Sequence, residues 1–284
     1  MSAAPVTDPD PTRPVDVLTV TSVDDVTPSV RRIVLSGTPA AAAAAGPTIS
    51  LLVPRVGDPA PRWPRVQRDG RIVWPDGPHG VSLRSYTARR QDAERGEVEI
   101  DFVLHGDGPA AAWAGAAVPG TTVAVAGGGP LGDRPAGWLL LAGDETALPA
   151  ITRILAAAPP STRGVALVEV ADAAEEQPLP APEGVAVRWL HRDGAPPGEG
   201  TLLPDAVAAL ERPDGEDLFA WVAAESAAVR AVRADLRARW GLGRAQHHAI
   251  GYWRRGRAMG GEGPPASSQG TPRAAPARGS TLLA

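Results

Sequence analysis

Arg84 and Tyr86 stand two residues apart in the segment Leu83-Arg84-Ser85-Tyr86-Thr87. On an extended backbone they share one side, and Ser85 and Thr87 take the other. An arginine fork grips a phosphate through charge-assisted bonds worth about 1.5–3 kcal/mol each, while a tyrosine offers a ring face and a hydroxyl. The pair suits a nucleotide cofactor with a flat ring. A second chemistry-bearing stretch follows at Glu97 to Trp113, reading EVEIDFVLHGDGPAAAW. Val98, Ile100, Phe102 and Leu104 alternate with Glu97, Glu99, Asp101 and Val103, the period of a strand with one face on a core. His105-Gly106-Asp107-Gly108 is turn chemistry, Pro109 suits a first helical position, and Ala110, Ala111 and Trp113 continue as helix. Backbone N–H groups at such a helix start have no intrahelical partner, and they suit a phosphate.

Composition narrows what chemistry is open to these residues. The formal net charge of -4 offers no basic field for nucleic acid or an anionic membrane. All 28 basic residues are arginine, which excludes lysine Schiff-base chemistry. The absence of cysteine excludes disulfides, thiolate catalysis and cysteine-ligated iron–sulfur clusters. Any electrons must therefore travel on a bound organic cofactor. His247 and His248 are adjacent on a strand and face opposite ways, and no metal-ligand cluster is expected. The stretch MSAAPVTDPDPTRP lacks a positively charged start followed by an apolar core, and no apolar run approaches the ~20 residues of a membrane span. A cytoplasmic protein without membrane insertion is expected.

The elements that must position these residues fall into two groups across the 284-residue chain. Residues 1–14 are expected to be disordered. Strands are expected at Val15 to Val20, Val30 to Leu35, Ile49 to Val53 and Thr121 to Ala126, with Ala40 to Ala45 a short helix or a loose loop. The proline-rich stretch from Pro54 to Gly80 reads as a long irregular loop, and Gly127 to Gly132 as a turn. From Trp138 the rhythm changes to continuous apolar strands alternating with helices. Strands at Trp138 to Ala142, Gly164 to Val170, Val185 to Leu190, Leu218 to Ala223 and His247 to Trp253 alternate with helices at Ala147 to Ala158, Leu202 to Glu211 and Ser226 to Trp240. That alternation predicts a parallel sheet covered on both faces, with its boundary near residue 135. The expected architecture is an antiparallel β-barrel over 15–135, a doubly wound α/β domain over 136–255 and a disordered tail over 256–284.

Four motifs carry a family resemblance in order: RSYT at Arg84, DFVLHGDGPAAAWA at Asp101, GDETALPAI at Gly143 and GYWRRG at Gly251. Over about residues 16–257 the chain resembles the siderophore-interacting proteins, flavin-dependent ferric-siderophore reductases related to ferredoxin reductases. The resemblance implies that the barrel holds FAD and that the second domain brings NADPH or NADH to it across the carboxyl ends of the parallel strands. It sets Arg84 on the pyrophosphate, Tyr86 against the flavin and Thr87 near the ring edge, with Ser85 in the same motif. Asp101, Phe102, Val103 and His105 match the next strand and turn, and Gly108, Pro109, Ala110 and Ala111 present the helix start. Family members often carry serine where Ala111 stands, so one side-chain hydrogen bond to phosphate is missing. Trp113 reads either as core or as a cofactor neighbour.

The same resemblance puts Asp144, Glu145, Thr146 and Ala147 near the nicotinamide or the flavin edge, although helix capping accounts for Asp144 to Thr146 without a ligand. Arg192 is the best-placed cation for a 2′-phosphate. Glu225 reads as a cofactor neighbour or a first-turn carboxylate, and Ala224 replaces a glycine common in the family. Tyr252 or Trp253 covers the flavin face or packs on the sheet. Arg55, Arg89 and Arg90, with Arg62 and Arg65, are candidates to guide an anionic ferric siderophore. The implied reaction passes a hydride from NAD(P)H to FAD and single electrons to the chelated Fe(III), with no further catalytic side chain required. Three alternatives remain open: reduced ferredoxin as donor, a flavoreductase serving a protein partner or free flavin, and a noncatalytic siderophore- or flavin-binding protein. A monomer is expected.

Overall fold

The computed structural model describes residues 12–77, 80–104, 108–214 and 217–256. His105 and the tail from residue 257 lie outside them, as do residues 1–11. The first half comprises β1 (Arg13–Pro14), β2 (Asp16–Thr27), β3 (Val30–Ser36), α1 (Pro39–Ala44), β4 (Thr48–Pro54), β5 (Arg65–Val66), β6 (Ile72–Val73), β7 (Val81–Asp92), β8 (Glu97–Val103), α2 (Pro109–Ala116) and β9 (Thr122–Gly129). The six longer strands close an antiparallel barrel in the order β2-β3-β8-β7-β4-β9.

Register explains the alternation read from the sequence. Ile33 lies opposite Ile100 and Leu35 opposite Val98, all buried in the barrel core, while Arg32 lies opposite Asp101 on the other face. α1 and α2 seat small side chains, Ala41, Ala42, Ala45, Ala110 and Ala114, against that core. Thr38 caps α1 by accepting a hydrogen bond from the Ala41 N–H at 3.1 Å, just ahead of Pro39.

Three expectations for this half are corrected. Residues 12–14 are not part of a disordered start, because Arg13–Pro14 pairs antiparallel with β5. The stretch after Pro54 is not wholly irregular: β1, β5 and β6 form a small sheet over a satellite core of Val15, Leu52, Val66 and Val81, with Trp63 and Trp74 packed on it. Gly127, Gly128 and Gly129 belong to β9 rather than to a turn. A register shift between Ser50 and Leu51 bends that pairing, and Gly127 takes φ +147°, a bulge-like backbone that side chains resist.

The second half comprises β10 (Trp138–Asp144), a 3-10 turn (Glu145–Ala147), α3 (Leu148–Ala157), β11 (Arg163–Val170), β12 (Val185–His191), α4 (Leu202–Ala208), β13 (Leu218–Glu225), α5 (Ser226–Arg239) and β14 (His247–Trp253). Its five strands are parallel in the order β12-β11-β10-β13-β14. α3 packs Leu148, Ile151 and Leu155 on one face of the sheet, and α4 and α5 pack Leu203, Val207, Val229, Val232 and Leu236 on the other. Burial on both faces is why Leu139, Leu140 and Leu141 run as an unbroken apolar string. The strand order reverses between β10 and β13, so their carboxyl ends open a crevice there.

Candidate functional site

β7 presents the arginine–tyrosine pair as the sequence implies. Arg84 lies opposite Leu51 and Tyr86 opposite Ile49, so both share the face that Leu51 and Ile49 turn to the core. Tyr86 packs on Phe102 at 4.5 Å between ring centroids, and Phe102 on Trp113 at 5.6 Å. Burial raises the Tyr86 phenol, offset in part by Arg84, so it stays protonated. Ser85 is exposed on the other face. Thr87 is buried, and its Oγ1 has no hydrogen-bond partner. The Tyr252 phenol is the polar group that approaches it, near enough to feel it but outside hydrogen-bond geometry. A buried hydroxyl without a partner costs about 1–3 kcal/mol, a cost that a hydrogen-bonding ligand edge at this position would offset.

α2 supplies the phosphate end. Gly108 is its N-cap with no side-chain hydrogen bond, and Pro109 stands in its first turn. The N–H groups of Ala110 and Ala111 thus have no acceptor within the helix. A Cβ on Gly108 would meet nothing within 4 Å, so the approach to this helix end is open. The other end is fixed: Arg31 donates to the carbonyls of Ala114 (3.3 Å) and Gly115 (2.8 Å). Uncapped donors, an orphaned Thr87 hydroxyl, Arg84 and the Tyr86 ring together fit a flavin dinucleotide.

Three residues expected at the cofactor are engaged within the protein. Phe102 and Trp113 are core, with Phe102 packed against Tyr86 and Trp113 against Phe102, and the Trp113 indole N–H is buried without a partner. The Asp101 carboxylate is engaged from β3 by Arg32, at 2.7 and 2.9 Å. Their strand alternates, so neighbours cannot all face one ligand. Val103 does reach a cavity.

That cavity, of about 170 Å³, lies between the halves. Ser29, Val103 and Leu104 line it from the barrel, and Glu145, Thr146, Ala171, Arg192, Pro197 and Trp253 from the α/β domain. The switch-point crevice adjoins it, with a volume of about 230 Å³ and walls that include Asp144, Glu169, Gly198, Glu199, Leu203, Ala224 and Glu225. Trp253 and Arg192 line both. Trp253 donates from Nε1 to Asp144 Oδ2 at 2.7 Å and crowds Gly198, where a Cβ would come within 2.7 Å of the indole. Tyr252 turns the other way, edge-on to Trp221 and towards Thr87. The last strand thereby sends one aromatic to the flavin motif and the next into the crevice, since adjacent strand residues face opposite sides.

Both helix starts at the switch point are capped by the chain's own carboxylates. Asp144 accepts from the N–H and the hydroxyl of Thr146, at 3.0 and 2.5 Å, and from the Glu225 N–H at 3.1 Å. Burial pushes its carboxyl up to about 6 despite these bonds. Glu225 accepts from the N–H groups of Ala227 and Ala228 at the start of α5. Ala147 is fully buried in the sheet's core, so it supports the turn without facing the crevice.

Arg192 departs most from expectation. Instead of standing free for a 2′-phosphate, its side chain is 5% exposed and bonds Glu145 through both terminal nitrogens, with Glu169 at 3.5 Å. The partners come from the ends of β10 and β11, which sheet order brings beside the end of β12. Arg89 is likewise drawn to Glu99 at 2.6 Å on the barrel wall, and Arg90, 3.9 Å from the same carboxylate, is exposed, as is Arg55.

Sequence reasoning missed Glu169, Glu175 and Arg153. Glu169 is the penultimate residue of an apolar strand, and a charge towards the end of such a run is the signal that marks it. Glu175 accepts from the Thr27 hydroxyl at 2.5 Å and the Ser29 N–H at 2.9 Å, and Arg153 on α3 donates to the Ala88 carbonyl at 2.9 Å. These two staples set the domains against each other, and no local pattern announces them.

The geometry agrees with comparisons to known proteins. The family model described as "Siderophore-interacting FAD-binding domain" matches residues 19–132, and "Siderophore-interacting protein" matches residues 136–256. Ferric vibriobactin reductase ViuB of Vibrio cholerae is 37% identical over 198 residues, covering 68% of this chain and 71% of that one. A siderophore utilization protein from T. fusca superposes with a TM-score of 0.76 at 36% identity, over 88% of this chain and 95% of that one. A ferredoxin NADP+ reductase from Neisseria gonorrhoeae shares the fold alone, with a TM-score of 0.52 at 13% identity over 84% of this chain and 98% of that one. With a flavin-suited barrel joined to a doubly wound domain of ferredoxin-reductase type, and a relative of this identity and coverage, the chain belongs to the siderophore-interacting protein family.

Proposed function

We propose that this protein is a flavin-dependent reductase that moves electrons from a nicotinamide dinucleotide to a ferric siderophore. The observation that carries this reading is the meeting of Thr87, buried and unpartnered beside Tyr86, with Tyr252 from the end of the parallel sheet. A flavin ring edge and a nicotinamide must meet at such a junction. Similarity to a ferric vibriobactin reductase supports the acceptor. A bound flavin would supply the conversion from paired to single electrons, since it can take up a hydride and a proton from one nicotinamide dinucleotide and return the two electrons singly to two Fe(III) chelates with release of both protons.

The chain's own groups bind and orient. Arg84 and the α2 start hold phosphate, Tyr86 sets the ring plane, and Thr87 holds the ring edge. The crevice at Asp144 and Glu225 receives the dinucleotide, whose approach to the ring runs past Trp253. Its aliphatic wall of Leu203, Pro204 and Ala224 suits a base and ribose. Reduction to Fe(II), larger and less charged, loosens hard oxygen chelation and releases the metal.

The test is an anaerobic visible spectrum of the FAD-loaded protein before and after NADH or NADPH, followed by ferric hydroxamate or catecholate chelates with a ferrous trap. Bleaching by nucleotide, then recovery of the flavin band as trapped Fe(II) appears, is the expected result. A protein that takes up no FAD overturns the reading. Flavin that bleaches but ignores every chelate replaces it with a reductase serving a protein partner.

A further inference from the structure

Glu169 is the penultimate residue of β11, the second strand of the parallel sheet, at the wall of the switch-point crevice. In open α/β folds that bind dinucleotides, an acidic side chain about 20 residues past the first turn accepts hydrogen bonds from a ribose 2′-hydroxyl, whereas a nearby arginine accommodates a 2′-phosphate. Here both residue types are present and in contact. Arg192 is spanned by Glu145 and Glu169, which take bonds from both its terminal nitrogens, and its side chain is 5% exposed. A guanidinium buried between two carboxylates has its charge already matched, and a phosphate would have to displace one of them to take the two-pronged grip by which arginine holds it.

The rest of the crevice points the same way. Among the described residues that line it, Asp144, Glu169, Glu199 and Glu225 face the single cation Arg192. The nearby Arg255 is matched by Glu199. The start of α5, where a phosphate would find free N–H groups, is filled by the Glu225 carboxylate. A dianionic 2′-phosphate entering this wall meets like charge without an unspent cation.

We propose that the crevice selects NADH over NADPH, with Glu169 as the residue that reads the ribose hydroxyl. This rests on the crevice being the dinucleotide site. The electron balance is that of the reaction above: NADH loses a hydride and becomes NAD+.

Two measurements on the FAD-loaded protein test it. Calorimetry with NAD+ and NADP+ reads binding without turnover, and anaerobic rapid mixing with equal NADH and NADPH reads flavin bleaching. NAD+ should bind, and NADH bleach, roughly tenfold more favourably than the phosphorylated forms. Glu169→Gln keeps the side chain's shape and, with its flavin spectrum unchanged, should shrink that preference by strengthening NADP+ binding. NADP+ binding as tightly as NAD+, or a ratio unmoved in Glu169→Gln, would overturn the inference. If neither nucleotide binds or bleaches, yet dithionite-reduced protein still reduces a ferric siderophore, the crevice is not the dinucleotide site and the inference falls while siderophore reduction stands. If NADH is selected but no siderophore is reduced, the selection stands and the acceptor reading falls.

Discussion

Asp144 is a carboxyl group in the interior that accepts hydrogen bonds from Thr146, Glu225 and Trp253. Burial moves its pKa from 3.8 to about 6, so the folded state holds the proton more tightly than the unfolded state does. Its contribution to stability is therefore complete below about pH 4 and lost as pH rises through about 6, by about 3 kcal/mol at most. Asp144→Asn removes that dependence and, having one acceptor oxygen for these donors, loses stability at low pH. Urea titrations of both proteins should show the variant's deficit narrowing from about pH 4 to about pH 7. A deficit that widens with pH would show that the carboxylate is the favoured buried form. At the flavin motif, Arg84→Ala should weaken FAD retention by one or two charge-assisted bonds, about 1.5–3 kcal/mol each. Dialysis followed by flavin absorbance checks it, and unchanged flavin content would count against Arg84 as a phosphate ligand.

At the scale of elements, β9 and α2 owe their placement to opposite uses of glycine. Gly128 lies so close to the end of α1 that an added Cβ would stand 1.6 Å from the Ala45 carbonyl oxygen. Gly128→Ala must push α1 off the barrel or bend β9, and should cost about 1–3 kcal/mol or more. Gly115 sits exposed in α2 with nothing near its missing Cβ. Gly115→Ala should stabilise by about 0.5–1 kcal/mol through a less flexible unfolded chain. Thermal melts of the pair should diverge in opposite directions, and equal effects would mean that the close approach of Gly128 to α1 does not constrain the fold. Because α2 is held at its far end by Arg31, its open N-terminus is oriented before any ligand arrives.

For the whole molecule, two polar side chains among the described residues join the halves across long stretches of chain. Glu175, 4% exposed, joins the 3-10 turn after β11 to the barrel's Thr27 and Ser29, and Arg153 joins α3 to β7. Glu175→Ala leaves a buried hydroxyl and a backbone N–H without acceptors, a loss of about 1–3 kcal/mol for each such group. The domains have separate cores, so this loss should fall on their coupling. Flavin fluorescence, reporting the barrel, and far-UV circular dichroism should part into two denaturation transitions in the variant while coinciding in the parent. Coincident transitions in both would mean that the staple does not set domain coupling. Since nicotinamide and flavin must meet between the domains, the variant should also slow flavin bleaching by NADH more than it weakens NAD+ binding.

Periodicity along the chain was enough to reveal the barrel strand at Val98 to Phe102, the buried parallel strands from Trp138 onward and the change of rhythm between them. Burial of one face or both is a demand each segment meets with its own few residues. The flavin motif was legible for a related reason, since Arg84 and Tyr86 share a face by local backbone geometry alone. The ion pairs were not legible. Arg192 and Glu145 are separated by 47 positions, and Arg32 and Asp101 by 69. A strand-end arginine looks the same in sequence whether it stands in solvent or lies between two carboxylates. Sheet order put the ends of β10, β11 and β12 side by side, and barrel closure put β3 against β8. A charge's neighbours, and hence whether it is free to meet a ligand, depend on distances through space, and only the tertiary structure decided them.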